Sequence, residues 1–210
     1  MTSRPAGTLA ERKRALVADA LTQAALELLV REGFDAVTVD EITAAAGVSK
    51  RTFFRYFSSK EDVVVRFLAE MGAGMRDELA ARPPQEPPSV ALRHAVQSSV
   101  DACAGHADRA LSVVRLVLRT PPLLACFLER QAQWRGELAA EMARRLGMDP
   151  AAELYPELAA GMALTAFGTV LQRWSDDDAV DPVELTGRAF AVLAPALDGV
   201  VDGVVDGARS

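Results

Sequence analysis

One short segment, KRTFFR at Lys50–Arg55, contains three cations, a hydroxyl and an aromatic ring, Phe54, that is expected to face outward. Cations of this kind neutralise phosphate groups or donate hydrogen bonds to base edges, and a hydroxyl or a ring adds contacts in a groove of duplex DNA. Phe53 and Phe57 lie four residues apart, so a helix here would turn both inward and leave the cations outward. The pattern is typical of a nucleic-acid-binding helix, although a short helix that merely faces solvent also carries such charges.

Two short helices joined by a turn must position these side chains. Thr38 and Glu41 have the spacing of a capping box, which begins the first helix. Gly47 suits the left-handed conformation that ends this helix, and Ser49 suits the N-cap of the second one. The sequence therefore predicts a helix-turn-helix whose second helix can enter a major groove.

The helices on either side of this hairpin are predicted from the same signals. A leading helix is expected over residues 9–31. Ser58 and Glu61 again have capping-box spacing and begin a fourth helix that runs to about Ala81. Lys60 lies in its first turn, where free backbone N–H groups beside a cation favour a phosphate.

The segment from Gly33 to Val64 carries a specific resemblance. It reads GFDAVTVDEITAAAGVSKRTFFRYFSSKEDVV, and Ala24, Ala25 and Leu28 precede it in the leading helix. Together these residues resemble the DNA-binding region of TetR-family transcriptional regulators. The resemblance covers roughly the first third of the chain and implies an N-terminal three-helix DNA-binding domain.

The resemblance also implies roles for individual residues. In such regulators the positions of Thr38, Tyr56 and Lys60 hold DNA phosphates, and the positions from Ser49 to Arg55 face the groove. The DNA-binding residues implied in this way are Thr38, Ser49, Lys50, Arg51, Thr52, Phe54, Arg55, Tyr56 and Lys60.

Two of these residues depart from the family pattern. Arg51 replaces the small residue often found at its position, and it could read a guanine with both guanidinium nitrogens or grip the DNA backbone. Phe54 stands where tyrosine is frequent, which removes one hydroxyl contact. The operator sequence is not fixed by these observations.

The formal charge is divided unevenly along the chain. The protein as a whole has 210 residues and a net charge of −6. Residues 1–60 carry nine Lys and Arg against seven Asp and Glu, whereas residues 61–210 carry 14 against 22. Phosphate contacts need local positive charge, not a basic protein overall. The charge division predicts a cationic head and an acidic remainder that stays off the DNA.

The chain beyond the fourth helix reads as helical throughout. Four prolines in RPPQEPPS at Arg82–Ser89 indicate a linker. Further helices are expected over residues 89–104, 107–119, 121–146, 156–174 and 182–197. We expect an all-α protein with a helix-turn-helix domain over residues 1–57, a helical ligand-binding and dimerisation domain over 58–203, and a disordered tail over 204–210.

The helix expected over residues 156–174 is apolar on nearly every side, so two of its sides must pack against other elements. Leu158, Met162 and Thr165 form one stripe; a second consists of Leu164, Phe167, Leu171 and Trp174. The resemblance implies that the last two long helices pair with those of a second chain, and closure of the monomer core is the alternative. The residues predicted for a dimer contact are Leu164, Gly168, Leu171, Leu185, Ala189, Val192 and Leu193.

A ligand site is expected in the second domain. Gly72 and Gly74, beside Met71 and Met75, indicate either a deformable pocket wall or close packing against a neighbouring helix. Apolar walls would favour an apolar or aromatic small molecule with few polar anchors. The predicted lining residues are Met71, Met75, Val96, Cys103, Phe127, Trp134, Met162 and Phe167.

Nothing in the sequence supports an enzyme. Cys103 and Cys126 fit no metal or redox spacing, and no phosphate loop or nucleophile motif occurs, so no catalytic residue, metal or cofactor is expected. No apolar run approaches a membrane span and the N-terminus lacks an apolar signal core, which predicts a cytoplasmic protein without a membrane partner. A partner-binding helical scaffold is a third class.

The favoured interpretation is a homodimeric, ligand-responsive transcriptional repressor. It would bind a palindromic DNA operator and be released by a small apolar or aromatic effector. A transcriptional activator, or a ligand-independent DNA-binding regulator of the same fold, is the alternative.

Overall fold

Helices account for all regular secondary structure in the described part of the chain. The computed structural model describes residues 8–104 and 107–207, and it describes side chains at residue 8 and over 13–101 and 110–199. The helices are α1 (Leu9–Glu32), α2 (Val39–Ala45), α3 (Lys50–Phe54), α4 (Lys60–Ala81), α5 (Pro88–Ala104), α6 (Ala107–Arg119), α7 (Pro121–Leu146), α8 (Tyr155–Asp176) and α9 (Pro182–Gly207). The all-α fold predicted from the sequence is confirmed. No single helix among these residues is long and apolar enough to cross a membrane.

Two helix ends differ from the sequence-based expectation. α3 ends at Phe54, and the backbone continues as tight turns in which the N–H groups of Tyr56 and Phe57 donate to the carbonyl of Phe53. α9 passes through Pro195 and extends to Gly207, although an internal proline removes one backbone donor and crowds the preceding turn. Residues 204–207 of the predicted disordered tail are therefore helical, and residues 208–210 lie outside the described residues.

The chain divides into two compact units, Met1–Phe67 and Leu68–Ser210. The boundary lies inside α4 and not at residue 57, since the first turns of α4 belong to unit 1 and bury Val63 and Val64 there. The core of unit 1 is formed by side chains from all four helices that enter it. They include Leu21, Ala25, Leu29, Ile42, Phe53, Phe57, Val63 and Val64.

Unit 2 is a helical bundle in which α7 packs on α8, α5 on α9, and α8 on α9. Asp198 of α9 caps the start of α5, because its carboxylate accepts hydrogen bonds from the Ser89 backbone N–H at 2.9 Å and hydroxyl at 2.7 Å. The hydroxyl of Tyr155 in α8 donates to the carbonyl of Leu197, and burial raises the pKa of this tyrosine to about 12. The part of α9 beyond Pro195 is thus tied to two other helices.

The predicted linker between α4 and α5 is packed in place. Arg145 near the end of α7 donates to the carbonyls of Arg82 and Pro83, each at 2.8 Å. Arg82 in turn pairs with Glu86 four residues later. These contacts give the proline-rich segment a defined course in unit 2.

Candidate functional site

Local caps fix the two helices of the predicted hairpin. Thr38 accepts the Glu41 backbone N–H at 3.3 Å, and the Glu41 carboxylate accepts the Thr38 backbone N–H at 2.8 Å. The predicted capping box is therefore present. The Thr38 hydroxyl also donates to the Glu41 carboxylate at 2.8 Å, and the bonds from the backbone and hydroxyl of Thr38 hold the pKa of Glu41 below its ordinary value. Ser49 caps α3 by accepting the Thr52 backbone N–H at 3.1 Å.

The turn between the two helices and the core behind α3 follow the prediction. Gly47 adopts φ +65°, a left-handed conformation that favours glycine. Phe53 and Phe57 point inward, are almost completely buried and pack with ring centroids 5.5 Å apart. The outer side of α3 is consequently held on a rigid base, with Lys50, Arg51, Phe54 and Arg55 exposed.

Two of the three cations on this outer surface have partners within unit 1. The ammonium of Lys50 lies 2.9 Å from the carboxylate of Asp40 in α2. The guanidinium of Arg55 lies 5.0 Å from the centre of the Tyr56 ring and donates to the Tyr56 hydroxyl at 3.1 Å. Arg51 is exposed, and its side chain has no hydrogen bond or ion pair to the residues that the structure describes.

Phe54 is the large apolar side chain on this surface. Half of it is exposed, at 51 %, and it meets the buried ring of Phe53 edge to face, with centroids 5.4 Å apart and an interplanar angle of 86°. Contact with a buried ring restricts the orientations that Phe54 can adopt. α3 therefore presents an apolar ring with a preferred orientation one helical turn away from Arg51.

Lys60 has a structural role that the sequence did not reveal. Its ammonium donates to the carbonyl of Phe34 at 2.5 Å and to that of Val37 at 3.0 Å. The same nitrogen lies 4.2 Å from the centre of the Phe34 ring. Lys60 thus joins the start of α4 to the loop that leads into the Thr38 cap.

The cap at the start of α4 differs by one residue from the predicted one. Ser59, not Ser58, accepts the N–H of the residue three positions on, which is Asp62. The Asp62 carboxylate accepts the backbone N–H and hydroxyl of Ser58 at 2.8 and 2.7 Å. The prediction of a Ser58–Glu61 capping box is wrong. The segment contains two overlapping serine–acid pairs, Ser58–Glu61 and Ser59–Asp62, and α4, which carries Lys60, begins at the second pair.

Both units match known families. Residues 21–67 match the family of bacterial regulatory proteins called the tetR family, and residues 86–198 match the MftR C-terminal domain. A Mycobacterium tuberculosis protein, provisionally assigned as the mycofactocin biosynthesis transcriptional regulator MftR, is 31 % identical over 199 residues, which cover 89 % of this chain and 94 % of that protein. The chain belongs to the TetR family of transcriptional regulators. The resemblance carried by residues 33–64 is thereby confirmed.

Other relatives agree with this membership. The HTH-type transcriptional regulator TcmR of Streptomyces glaucescens is 35 % identical over 171 residues, covering 79 % of this chain and 75 % of that protein. Among solved structures, the fatty acid degradation regulator FadR of Bacillus halodurans has the same fold, with a TM-score of 0.64, 19 % identity, and coverage of 94 % of this chain and 98 % of that chain. A TetR-family protein of this kind is a DNA-binding transcriptional regulator and not an enzyme.

The predicted ligand residues mostly fall in the core of unit 2. The rings of Phe127, Trp134 and Phe167 form one cluster, with centroids 5.9 to 6.5 Å apart. Met75 and Val96 are also fully buried, Met71 is half-buried, and the side chain of Cys103 lies outside the described residues. Met162 lies apart from the ring cluster, in the surface groove described below.

The two glycines of α4 in unit 2 have different environments. A Cβ on Gly72 would lie 1.9 Å from Nε1 of Trp134, so the indole occupies the space that a side chain would need. Nothing lies within 4 Å of the same position on Gly74. Of the two alternatives for Gly72, close packing against a neighbouring helix is the one observed.

An open groove of about 840 Å³ runs along α7, α8 and α9 of the TetR-family chain. Four large apolar side chains that line it are exposed, namely Leu128, Leu154, Leu158 and Val192. Of the predicted dimer residues, Leu164, Ala189, Val192 and Leu193 line this groove, and Gly168 lines a smaller one beside it. Leu171 is buried within the subunit and Leu185 is half-buried outside both grooves.

Sequence reasoning missed the contribution of α7 and of the start of α8. Leu128 and Leu154 were not among the predicted contact residues, and Leu158 had been placed only on an unassigned apolar stripe. The signal available was the pair of stripes on α8. In the structure the stripe with Leu171 is buried, with Leu164 at the wall of the groove, and the stripe with Leu158 and Met162 faces the groove.

Proposed function

We propose that this TetR-family regulator is a repressor that binds a two-fold symmetric DNA operator as a homodimer and leaves it when a small apolar or aromatic molecule binds in unit 2. The observation that carries the proposal is the outer surface of α3, where exposed Arg51 and Phe54 stand on a capped, buried base. One such surface reads few bases, so two copies acting on half-sites about 34–36 Å apart are expected. A bacterial regulator of this kind acts in the cytoplasm, where the chromosome lies.

The proposed DNA contacts are the side chains on the outer side of the hairpin. Cations and hydroxyls at its rim would meet phosphates, and the centre of α3 would enter the groove. Lys60, whose ammonium already has two carbonyl acceptors, would act by holding the loop before α2 in place. The residues proposed for direct contact are Thr38, Ser49, Lys50, Arg51, Thr52, Phe54, Arg55 and Tyr56.

The proposed dimer contact is the groove along α7, α8 and α9. Val192 is 78 % exposed and Leu158 is 59 % exposed in the single chain, and covering them with a second copy would remove apolar surface from water. Val192→Asp is expected to give a monomer on sedimentation because it places a charge in the contact. Val183→Asp, at an exposed valine of α9 outside the groove, is the matched control and should leave a dimer. A dimer that tolerates Val192→Asp would contradict this assignment.

The proposed effector site adjoins the aromatic cluster of unit 2. Rings at Phe127, Trp134 and Phe167 with flexible methionines suit an apolar or aromatic ligand. FadR of Bacillus subtilis, which has this fold with a TM-score of 0.63, 19 % identity and coverage of 84 % of this chain and 97 % of that chain, was solved in complex with stearoyl-CoA. That complex supports an acyl compound as the first effector to test, in a titration followed by tryptophan emission.

Selection of bound genomic fragments followed by transcription in vitro tests the whole proposal. The full-length protein should enrich fragments that contain an inverted repeat, and it should lower transcript yield from promoters within them. A raised yield would favour the activator. No enrichment of any duplex would contradict DNA-binding regulation by this chain.

A further inference from the structure

We infer that Arg51 and Phe54 are the two side chains of α3 that read base identity. They would select a guanine and, within one or two base pairs of it, a thymine in each operator half-site. The inference rests on the proposed function, because it assigns chemistry to the same DNA-binding surface. It goes further by predicting the bases that this surface prefers.

The case for Arg51 starts from the partners of its two neighbouring cations. Lys50 is directed toward the Asp40 carboxylate on α2, and the Arg55 guanidinium lies over the Tyr56 ring. Both cations therefore already have a partner within unit 1. Arg51 has no such partner among the described residues, so its guanidinium is the one of these three cations left to extend outward.

A guanidinium in this position has one preferred acceptor in a major groove. Its planar fork matches the O6 and N7 atoms of guanine, which lie side by side on the groove edge. Adenine offers a donor in place of O6, and pyrimidines lack the N7 acceptor. Arg51 should therefore favour guanine over the other three bases at one position.

Phe54 supplies a different chemistry at a defined distance. It is three residues after Arg51, so both side chains lie on one side of α3, separated by about 4.5 Å along the axis. A phenylalanine has no hydrogen-bonding atom, so it gains nothing from a phosphate or a polar base edge. The apolar group that the major groove offers is the C5 methyl of thymine.

The packing of Phe54 explains how an exposed ring can discriminate. Its edge-to-face contact with Phe53 holds it against a side chain that is fully buried. A ring that favours this orientation meets a methyl group at one place, and a base without the methyl leaves a gap there. Because an axial separation of 4.5 Å slightly exceeds the rise of one base pair, the thymine should lie one or two steps from the guanine.

Single-atom changes in the DNA test this assignment on the wild-type, full-length protein. The duplex is the one that the protein selects from a random library. Deoxyuridine in place of the critical thymine removes only the C5 methyl, and should weaken binding about fourfold, as expected for one buried methyl group. 7-Deazaguanine at the critical guanine removes only N7 as an acceptor and should weaken binding about tenfold. Inosine at the same guanine keeps O6 and N7 and removes the N2 amino group, so it is the control for a weaker base pair and an altered minor-groove edge.

Two variants connect each base to its side chain. Phe54→Ala should abolish the difference between thymine and deoxyuridine and keep the 7-deazaguanine effect. Arg51→Ala should abolish the 7-deazaguanine effect and keep the difference between thymine and deoxyuridine. Both side chains are exposed, and circular dichroism should show that the variants keep their helices.

The outcomes separate this inference from the proposed function. Tight, selective binding of a duplex in which no thymine responds to deoxyuridine and no guanine to 7-deazaguanine would overturn the inference and leave DNA-binding regulation standing. Base effects that persist in both variants would also overturn it. Failure to select any duplex would overturn both.

Discussion

Replacing Lys60 by methionine tests whether this residue holds the DNA-binding hairpin together or contacts DNA itself. Methionine keeps an unbranched side chain but loses the ammonium that bonds the carbonyls of Phe34 and Val37. Hydrogen bonds from a charged donor contribute about 1.5–3 kcal/mol each, and the ring contact with Phe34 about 0.5–1 kcal/mol. Because Lys60 itself is only half-buried, its ammonium keeps part of its hydration, and we expect a loss of about 2–3 kcal/mol in the free energy of unfolding.

Thermal unfolding followed by circular dichroism measures this loss. In a unit of this size, 1 kcal/mol shifts Tm by about 4–8 °C, so the transition of unit 1 should fall by roughly 10–20 °C. Hydrogen exchange should show lost protection around the Thr38 cap, which the same loop precedes. Lys13→Met is the matched control: Lys13 is exposed on α1, and its replacement should leave Tm nearly unchanged.

The salt dependence of operator binding distinguishes the two roles of Lys60. A lost phosphate contact would lower the slope of log K against log salt by about 0.9 per subunit. A lost positioning contact should weaken binding without changing the slope, once the protein is assayed well below its Tm. An unchanged Tm together with a reduced slope would refute the positioning role and restore the phosphate contact expected from the sequence.

Two further substitutions, the first with a matched control, have defined expectations. Gly72→Ala should destabilise unit 2 and shift tryptophan emission, because its Cβ would lie 1.9 Å from the Trp134 indole, whereas Gly74→Ala has open space and should be neutral or stabilising by up to about 1 kcal/mol. Glu41→Gln should flatten the acid limb of the stability curve: the folded pKa of Glu41 is lowered by Thr38, so its contribution is present above the ordinary pKa of 4.5 and is lost as the pH falls through the folded value. Urea titrations across pH measure the second effect, and an acid limb identical to that of the wild type would contradict it.

The parts of the site that sequence predicted are those fixed by short-range chemistry. The Thr38–Glu41 box, the left-handed Gly47 and the Ser49 cap each depend on atoms within three or four residues, so their patterns are visible in the chain. The inward turn of Phe53 and Phe57 follows from helical spacing in the same way. Local rules therefore define the shape of the hairpin.

The parts that sequence missed depend on residues far along the chain. Lys60 bonds carbonyls that are 23 and 26 residues away, and no local pattern indicates these partners. On α8 both stripes are apolar, and only the packing of neighbouring helices decides that Leu171 is buried and Leu158 faces the groove. Composition alone could not choose between them.

The placement of the two tryptophans confines tryptophan fluorescence to one of the two units. Trp134, pressed over Gly72, and Trp174 are the chain's only tryptophans, and both are buried in unit 2. Tryptophan emission therefore reports on unit 2, where an effector would bind, and does not report directly on unit 1, which carries α3. A change in emission when operator DNA is added would be a direct, label-free measure of communication from one unit to the other.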